Sequence, residues 1–239
     1  MKLTIQCLGY EVAADWYQGL NDSKILLILP GYSSTKKRQQ MHAEAMVKLT
    51  GTSVLTFDYS GHGESPFKLR DTSPAQHLLE VTVAFDWLKA NYLDAVISIS
   101  GSSYGGFLAS QLVQFRTFNN LVLRAPALYK PGKFYDKWST RIDNLDAYRQ
   151  ESIRYKKNRD ELSKHPLFAG ASKFTGNTLV VVHEFDEIIP TETTNEYVNA
   201  FEAEKIVAKG LYHTIDKNDP SPDELALYQE HIANWLNKF

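Results

Sequence analysis

The stretch from Val96 to Phe107 constrains the fold of this chain most strongly, because an uncharged, β-branched run leads directly into a tight turn and an apolar segment. The turn is the pentapeptide 101–105, Gly-Ser-Ser-Tyr-Gly, with Ser103 at its centre. In a strand–turn–helix of this G-x-S-x-G type, the serine is held in a strained conformation with its hydroxyl exposed, and the glycines let strand and helix approach closely. The amide of Tyr104 then faces the position of a developing oxyanion. We therefore predict Ser103 as a nucleophile.

Strand-like and helical segments alternate along most of the chain, after a hairpin in the first twenty residues. The alternation predicts an α/β fold, with a mostly parallel sheet and helices on both of its faces. The length of 239 residues suits a single domain, 1–239. The predicted strands are 25–29, 53–58, 96–100, 121–124, 178–183 and 205–208; the predicted helices are 37–49, 75–90, 104–115 and 192–201, followed by a last helix with a capping box of Ser221 and Glu224.

The alternation is interrupted once, at about 125–177, by an insertion in which aromatic and charged residues are interleaved. It is too long for a simple connection between two elements. We interpret it as a small cap over the sheet edge at which Ser103 lies, with Phe134 and Trp138 lining a substrate pocket. The alternative is an elaborated connection whose aromatic side chains only pack on the core.

A serine hydroxyl needs a base to accept its proton and an acid to orient that base. Asp186 follows the predicted strand 178–183, and His213 follows the predicted strand 205–208. Both positions lie after strand ends, where an open α/β sheet places its site. The sequence therefore predicts a catalytic triad of Ser103, Asp186 and His213.

Alternatives to the base and the acid are present in the same loops. His62, in the glycine-rich loop 60–65, is the main alternative base, although it precedes the serine in the chain. Glu184 and Glu187 are alternative acids beside Asp186.

An oxyanion hole needs a second backbone donor besides Tyr104. The turn after the predicted strand 25–29 contains Pro30 and Gly31, and the amide of Tyr32 follows them. We predict Tyr32 and Tyr104 as the two donors.

Charge and composition exclude several classes of partner. The formal net charge of −2 gives no electrostatic footprint for nucleic acid or an anionic membrane, and the basic triplet 36–38 is interpreted as a solvated loop. The single cysteine, Cys7, excludes an internal disulfide and is typical of a reducing compartment. Since no signal peptide and no membrane-spanning apolar run is apparent, we expect a cytoplasmic protein.

No cofactor is expected. His, Cys and Asp residues do not cluster at metal-ligand spacing, so no metal site is predicted. The glycines at 101, 105 and 106 do not form a dinucleotide fingerprint, and no phosphate-binding loop is present.

Together these motifs resemble the α/β-hydrolase superfamily over nearly the whole chain. Within it, the chain is most similar to small-capped serine esterases of the cinnamoyl/feruloyl esterase type and, more loosely, to acyl thioesterases. Two departures are visible: Pro30 stands where a histidine is common before the oxyanion glycine, and the acid loop 183–186 is one residue shorter than usual. The motifs that carry the resemblance are 29–32, 57–65, 101–105, 186–190 and 210–213.

The resemblance implies a serine hydrolase that cleaves a small-molecule carboxylic ester or thioester through an acyl-serine intermediate, without a cofactor. A serine peptidase is an alternative, because the same triad cleaves amides. A catalytically silent, hydrolase-like binding protein is another. The acyl group, the leaving group and the oligomeric state are left open by the sequence.

Overall fold

The computed structural model describes residues 1–215 and 220–239, and in these residues one eight-stranded sheet is flanked by helices. The strands are β1 (Lys2–Cys7), β2 (Tyr10–Tyr17), β3 (Asn21–Leu29), β4 (Thr52–Phe57), β5 (Val96–Ser102), β6 (Asn120–Arg124), β7 (Asn177–Phe185) and β8 (Glu204–Tyr212). The α-helices are α1 (Gln40–Thr50), α2 (Pro74–Asn91), α3 (Tyr104–Leu112), α4 (Trp138–Ile142), α5 (Leu145–Lys157), α6 (Arg159–Leu162), α7 (Pro166–Ala171), α8 (Thr191–Ala200) and α9 (Pro222–Leu236).

The strand order across the sheet is β1-β2-β4-β3-β5-β6-β7-β8. β1 and β2 form an antiparallel hairpin, β2 pairs antiparallel with β4, and the other pairs are parallel. The predicted α/β fold with a mostly parallel sheet is therefore confirmed. β7 and β8 run further than predicted, because they continue to pair at Phe185 and Tyr212 beyond an irregularity after His183.

Helices cover both faces of the sheet, as predicted, and each face has its own core. Along β3, Leu27 and Leu29 face the core beneath α2 and α3, whereas Leu26 and Ile28 face the core beneath α1 and α9. Successive side chains of a strand point to opposite faces, so a strand buried on both sides is apolar throughout. This explains why 25–29 is a continuous apolar run.

The last helix begins where its capping box predicts. The Ser221 hydroxyl accepts a hydrogen bond from the Glu224 amide at 3.2 Å, and the Glu224 carboxylate accepts one from the Ser221 amide at 2.9 Å. Pro222 occupies the first turn, where its missing N–H costs nothing. The predicted capping box is confirmed. No helix of the described residues is long and apolar enough to cross a membrane.

The insertion between β6 and β7 contains the helices α4 to α7. Several of its aromatic side chains point inwards: Trp138, Tyr155 and Phe168 are buried in the core on the α2 and α3 face. Tyr135, by contrast, is exposed. The insertion therefore adds to the core on that face, and its function as a cap stays a prediction.

The basic triplet 36–38 is not a solvated loop, and that interpretation was wrong for its first residue. Lys36 begins a short 3-10 helix, Lys36–Gln39, and is only 3% exposed. Its ammonium group contacts the carboxylates of Asp15 at 2.9 Å and Glu64 at 2.8 Å. Two acidic partners from distant segments compensate the desolvation of the charge, which short-range sequence patterns do not reveal.

The pKa is lowered in five buried histidines, which makes the fold sensitive to acid: His42, His62, His77, His165 and His183. Burial lowers the pKa of His77 to about 3 and that of His183 to about 4, and it also lowers the pKa of His42. A histidine with a depressed pKa is neutral in the folded protein and takes up a proton on unfolding below about pH 6.5. Stability should therefore be retained above that pH and be lost as the pH falls towards the folded values, by about 1.4 kcal/mol per pH unit for each such group.

Urea unfolding between about pH 7 and pH 5 measures this loss. We expect the free energy of unfolding to fall with pH, and His183→Gln to reduce the slope. A free energy of unfolding that stays constant over this range would contradict the assignment.

Candidate active site

Ser103 lies between the end of β5 and the start of α3. Its backbone has φ +50° and ψ −110°, a conformation that residues other than glycine rarely adopt. The turn is held by three backbone hydrogen bonds: the Ser103 amide donates to the carbonyl of Arg124 at 2.9 Å, and the amides of Phe107 and Ala127 donate to the Ser103 carbonyl at 3.1 and 3.0 Å. Ser103 therefore has the strained conformation expected from the motif, at the carboxyl edge of the parallel strands.

The two glycines of the turn permit the close approach that was predicted. A Cβ atom on Gly101 would overlap the backbone of Gly105 and Gly106. A Cβ atom on Gly105 would overlap the Leu29 carbonyl and lie 2.6 Å from that of Pro30. Since all of these atoms belong to the backbone, no side chain can move aside to make room.

We therefore expect Gly105→Ala to lower the free energy of unfolding by about 1–3 kcal/mol or more, because α3 must shift away from β3. Gly31→Ala is the matched control, since its Cβ atom would meet its nearest neighbours at 3.5 and 3.6 Å without strain. Chemical unfolding of both variants measures the difference. Equal stabilities would show that the turn tolerates a side chain.

His213 and Asp186 come directly after the ends of β8 and β7. His213 Nε2 lies 2.9 Å from Ser103 Oγ, and His213 Nδ1 lies 2.8 Å from Asp186 Oδ2. The side chains of His213 and Asp186 are only 9% and 5% exposed. The structure thus brings the three predicted residues together in one chain of hydrogen bonds.

The carboxylate of Asp186 is held by its own loop. Its Oδ1 accepts hydrogen bonds from the amides of Ile188 at 2.9 Å and Ile189 at 2.8 Å. Burial by itself raises the pKa of Asp186, but the hydrogen bond and charge of His213, together with these two amides, lower it below its ordinary value. The carboxylate therefore stays ionised and leaves Oδ2 for the imidazole.

The alternative residues have other partners. His62 is buried, and its Nε2 accepts a hydrogen bond from the Ser33 amide at 3.2 Å. Glu184 binds the ammonium group of Lys209, and Glu187 accepts the backbone amide of His213 at 3.3 Å. The structure does not bring His62 to Ser103, nor either glutamate to the imidazole of His213.

The turn that carries Tyr32 lies against the serine. A Cβ atom on Gly31 would be 3.6 Å from the Cβ atom of Ser103. Tyr104 begins α3, so its amide has no partner within the helix. In the part of the chain that the structure describes, neither the Tyr32 nor the Tyr104 amide donates to another protein atom. Both remain predicted oxyanion donors.

A cavity of about 230 Å³ opens at Ser103 and His213. Residues of α1 and α9 line it, and no residue of the insertion does. Phe134 and Trp138 do not line it, because Phe134 packs on Phe107 and the Trp138 ring packs on that of Tyr32, with ring centres 4.5 Å apart. Residues of the lining that sequence reasoning missed are Gln39, His42, Arg124 and Tyr228.

One residue of the cavity lining could have been noticed in the sequence. Arg124 is a charged residue that directly follows the apolar residues 121–123 and directly precedes the predicted insertion.

Residues 1–215 and 220–239 contain no group of three or more His, Cys, Asp or Glu side chains that could hold a metal ion.

Solved structures with the same fold include an esterase and a monoacylglycerol lipase. Est1E from Butyrivibrio proteoclasticus, solved with ferulic acid bound, is 17% identical to this chain; the match covers 99% of this chain and 98% of that one, with a TM-score of 0.74. Esterase Pf2001 of Pyrococcus furiosus is 17% identical; the match covers 100% of this chain and 92% of the esterase, with a TM-score of 0.71. A monoacylglycerol lipase of Paleococcus ferrophilus is 18% identical; the match covers 95% of this chain and 99% of the lipase, with a TM-score of 0.70.

Identities this low establish the α/β-hydrolase fold alone. No curated protein matches the chain. A family match is more specific: residues 21–171, which include the strand–turn–helix of Ser103, match the family described as serine aminopeptidase, S33. Because this match covers more than half of the sequence, the chain belongs to the serine aminopeptidase S33 family of α/β-fold hydrolases.

Proposed function

We propose that this protein is a serine hydrolase that cleaves carboxylic esters through an acyl intermediate on Ser103. The observation that carries the proposal is the continuous chain of hydrogen bonds from Ser103 Oγ through His213 to Asp186. A serine becomes nucleophilic when a base accepts its proton as it attacks. His213 is the only candidate base within hydrogen-bond distance of Oγ among the described residues.

In the proposed reaction, Ser103 Oγ attacks the ester carbonyl carbon while His213 Nε2 takes the hydroxyl proton. Ionised Asp186 keeps the other imidazole proton on Nδ1 and stabilises the imidazolium. The amides of Tyr32 and Tyr104 donate to the oxyanion of the tetrahedral intermediate. His213 then protonates the departing alkoxide, and in the second half it activates a water molecule that releases the acid from Ser103.

An ester fits the cavity better than the amino terminus of a peptide does. An aminopeptidase must bind an α-ammonium group, for which a carboxylate is the natural partner. Among the described residues of the cavity lining, no Asp or Glu is present, whereas Arg38 and Arg124 are. Two proteins of the same fold, an esterase and a monoacylglycerol lipase, point in the same direction.

Labelling with a fluorophosphonate probe, followed by a substrate panel, tests the proposal. We expect the probe to modify Ser103 and turnover of p-nitrophenyl esters to exceed that of aminoacyl anilides. Acyl thioesters, which follow the same steps with a thiolate leaving group, form the third arm. Faster anilide turnover would identify a peptidase, and failure of the probe to react would indicate a silent binding protein.

In this proposal 1–239 forms one domain, and the insertion at about 125–177 caps it. Trp138 touches the rings of both predicted oxyanion residues, with ring centres 4.5 Å from Tyr32 and 5.5 Å from Tyr104. We therefore expect Trp138→Ala to lower the free energy of unfolding by about 3–5 kcal/mol through the cavity it leaves. If Trp138 and Phe134 also contact long acyl groups, the chain-length preference of kcat/KM shifts in their alanine variants.

The melting temperature and the chain-length series are measured on the same variants. Phe134→Ala, at a less buried position, separates the two effects. If the melting temperature falls and the chain-length preference is unchanged, both side chains only pack in the core and do not contact the acyl group.

A further inference from the structure

Arg124 is a buried cation beside the serine turn. It is the last residue of β6 and pairs with Ser102 of β5. Its carbonyl accepts a hydrogen bond from the Ser103 amide. Only 3% of the residue is exposed, although a guanidinium remains charged at any physiological pH. Burying an unpaired charge is costly, so such a group normally has an acidic partner.

Arg124 has no such partner in the described structure. Its Nη2 donates a hydrogen bond to Gln39 Oε1 at 3.0 Å, a neutral acceptor. In residues 1–215 and 220–239 it forms no ion pair, and its buried Nε group donates to no protein atom. Capacity for charge-assisted hydrogen bonding is thus left unused at the wall of the cavity.

Two neighbours in the same wall are also unsatisfied. Both ring nitrogens of His42 and the hydroxyl of Tyr228 are buried without a hydrogen-bond partner among the described residues. The two rings lie beside each other, with centres 6.2 Å apart, and both residues line the cavity together with Ser103. Buried polar groups are nearly always hydrogen-bonded, so a cluster of unpaired ones around one cavity indicates a place for a polar ligand.

The charge and size of the cavity indicate the kind of ligand. Arginine is the residue that recognises carboxylate and phosphate oxygens best, because its planar group donates along fixed directions. No carboxylate among the described lining residues competes for it. The volume of about 230 Å³ is below the ~300–1,000 Å³ of pockets for drug-sized ligands, which favours a short, charged group over a long apolar chain.

We propose that Arg124 binds an anionic group, a carboxylate or a phosphate, on the ester that Ser103 cleaves, an inference that rests on the proposed ester hydrolysis. His42 and Tyr228 line the same cavity. The enzyme is then selective for esters that carry a negative charge close to the scissile bond.

Matched pairs of esters test the selectivity. For a charge on the acyl side, the mono-4-nitrophenyl ester of glutarate is compared with 4-nitrophenyl valerate. For a charge on the alcohol side, the acetate ester of 4-hydroxyphenylacetate is compared with 4-ethylphenyl acetate. We expect kcat/KM to favour the anionic member of one pair by about ten- to a hundredfold, the contribution of a hydrogen bond to a charged group.

Variants assign the preference to Arg124. Arg124→Met should abolish the preference, and Arg124→Lys, which keeps the charge, should retain part of it. Arg116→Met is the matched control, because it removes the same charge from an exposed ion pair with Asp86 and should leave the preference within about twofold. Equal rates for the charged and neutral members in both pairs would overturn the proposal.

Binding to Ser103→Ala separates this inference from the proposed function. Calorimetry with glutarate, and separately with inorganic phosphate, reports the anion site without any turnover and distinguishes carboxylate from phosphate. Binding that Arg124→Lys weakens and Arg124→Met abolishes supports the site even if no ester is hydrolysed. The protein could instead hydrolyse esters without binding either anion and without a charge preference. That result would support the proposed hydrolase function and reject the anion site.

Discussion

Replacing Ser103 by alanine is expected to lower kcat for an activated ester by a factor on the order of 10⁶, the loss seen when the nucleophile of a comparable triad is removed. The remaining groups can still bind the substrate, but no oxygen is left 2.9 Å from His213 Nε2 to form the acyl intermediate. Steady-state hydrolysis of p-nitrophenyl acetate measures the rate. The melting temperature should change little, because the hydroxyl supports no other element of the fold.

Ser102 provides a matched control for this variant. It precedes Ser103 in the chain and makes no hydrogen bond with His213. Ser102→Ala should therefore keep kcat within about tenfold, since it removes no group in contact with the reacting atoms. If Ser103→Ala retained more than a few per cent of activity, or if the fluorophosphonate label appeared on another residue, Ser103 would be rejected as the nucleophile.

Asp186→Asn is expected to lower kcat by about 10⁴-fold, as in a serine protease triad with the same exchange. Asp186 Oδ2 accepts a hydrogen bond from His213 Nδ1 at 2.8 Å, which keeps that proton on Nδ1 and leaves Nε2 free to receive the serine proton. An amide that donates to Nδ1 favours the other tautomer, in which Nε2 is protonated and cannot act as a base. The same kinetic assay reports the loss.

The neighbouring glutamates provide the comparison for Asp186. Glu184→Gln removes an equal charge from the same loop but disturbs only an ion pair with Lys209 and a hydrogen bond from the Gly210 amide, and should alter kcat by less than about tenfold. Glu187→Gln tests the other acid of the loop. If kcat falls further in Glu187→Gln than in Asp186→Asn, Glu187 and not Asp186 is the acid of the triad.

Much of the fold and of the proposed site could be predicted because the signals are local. The turn at Ser103 depends on a positive φ and on two glycines at which a Cβ atom would overlap backbone atoms. The residues that meet both conditions lie within five consecutive positions of the sequence. Asp186 and His213 were placed by the rule that residues after parallel strand ends share one edge of a sheet. The shorter acid loop did not alter the placement, because β7 runs on to Phe185 and presents Asp186 directly after it.

The position of the cavity could not be predicted in this way. The insertion at 125–177 indicated a pocket with Phe134 and Trp138, whereas residues of α1 and α9 line the cavity at Ser103 and these two side chains do not. Trp138 became part of the core because aromatic rings on several elements converge there, including Tyr32 and Tyr104. Amphipathic composition indicates that aromatic side chains are buried, but not which neighbours bury them.

The sequence by itself determined the fold class, the strained serine turn and the order of the three predicted triad residues along the chain. Only the tertiary structure decided which residues line the cavity and that Arg124 is buried there beside a neutral partner. The physical reason is the range of the interactions: backbone sterics and strand periodicity act over a few residues, whereas Arg124 meets Gln39 across 85 positions of the chain. Burial and ion pairing of a side chain are properties of such distant contacts.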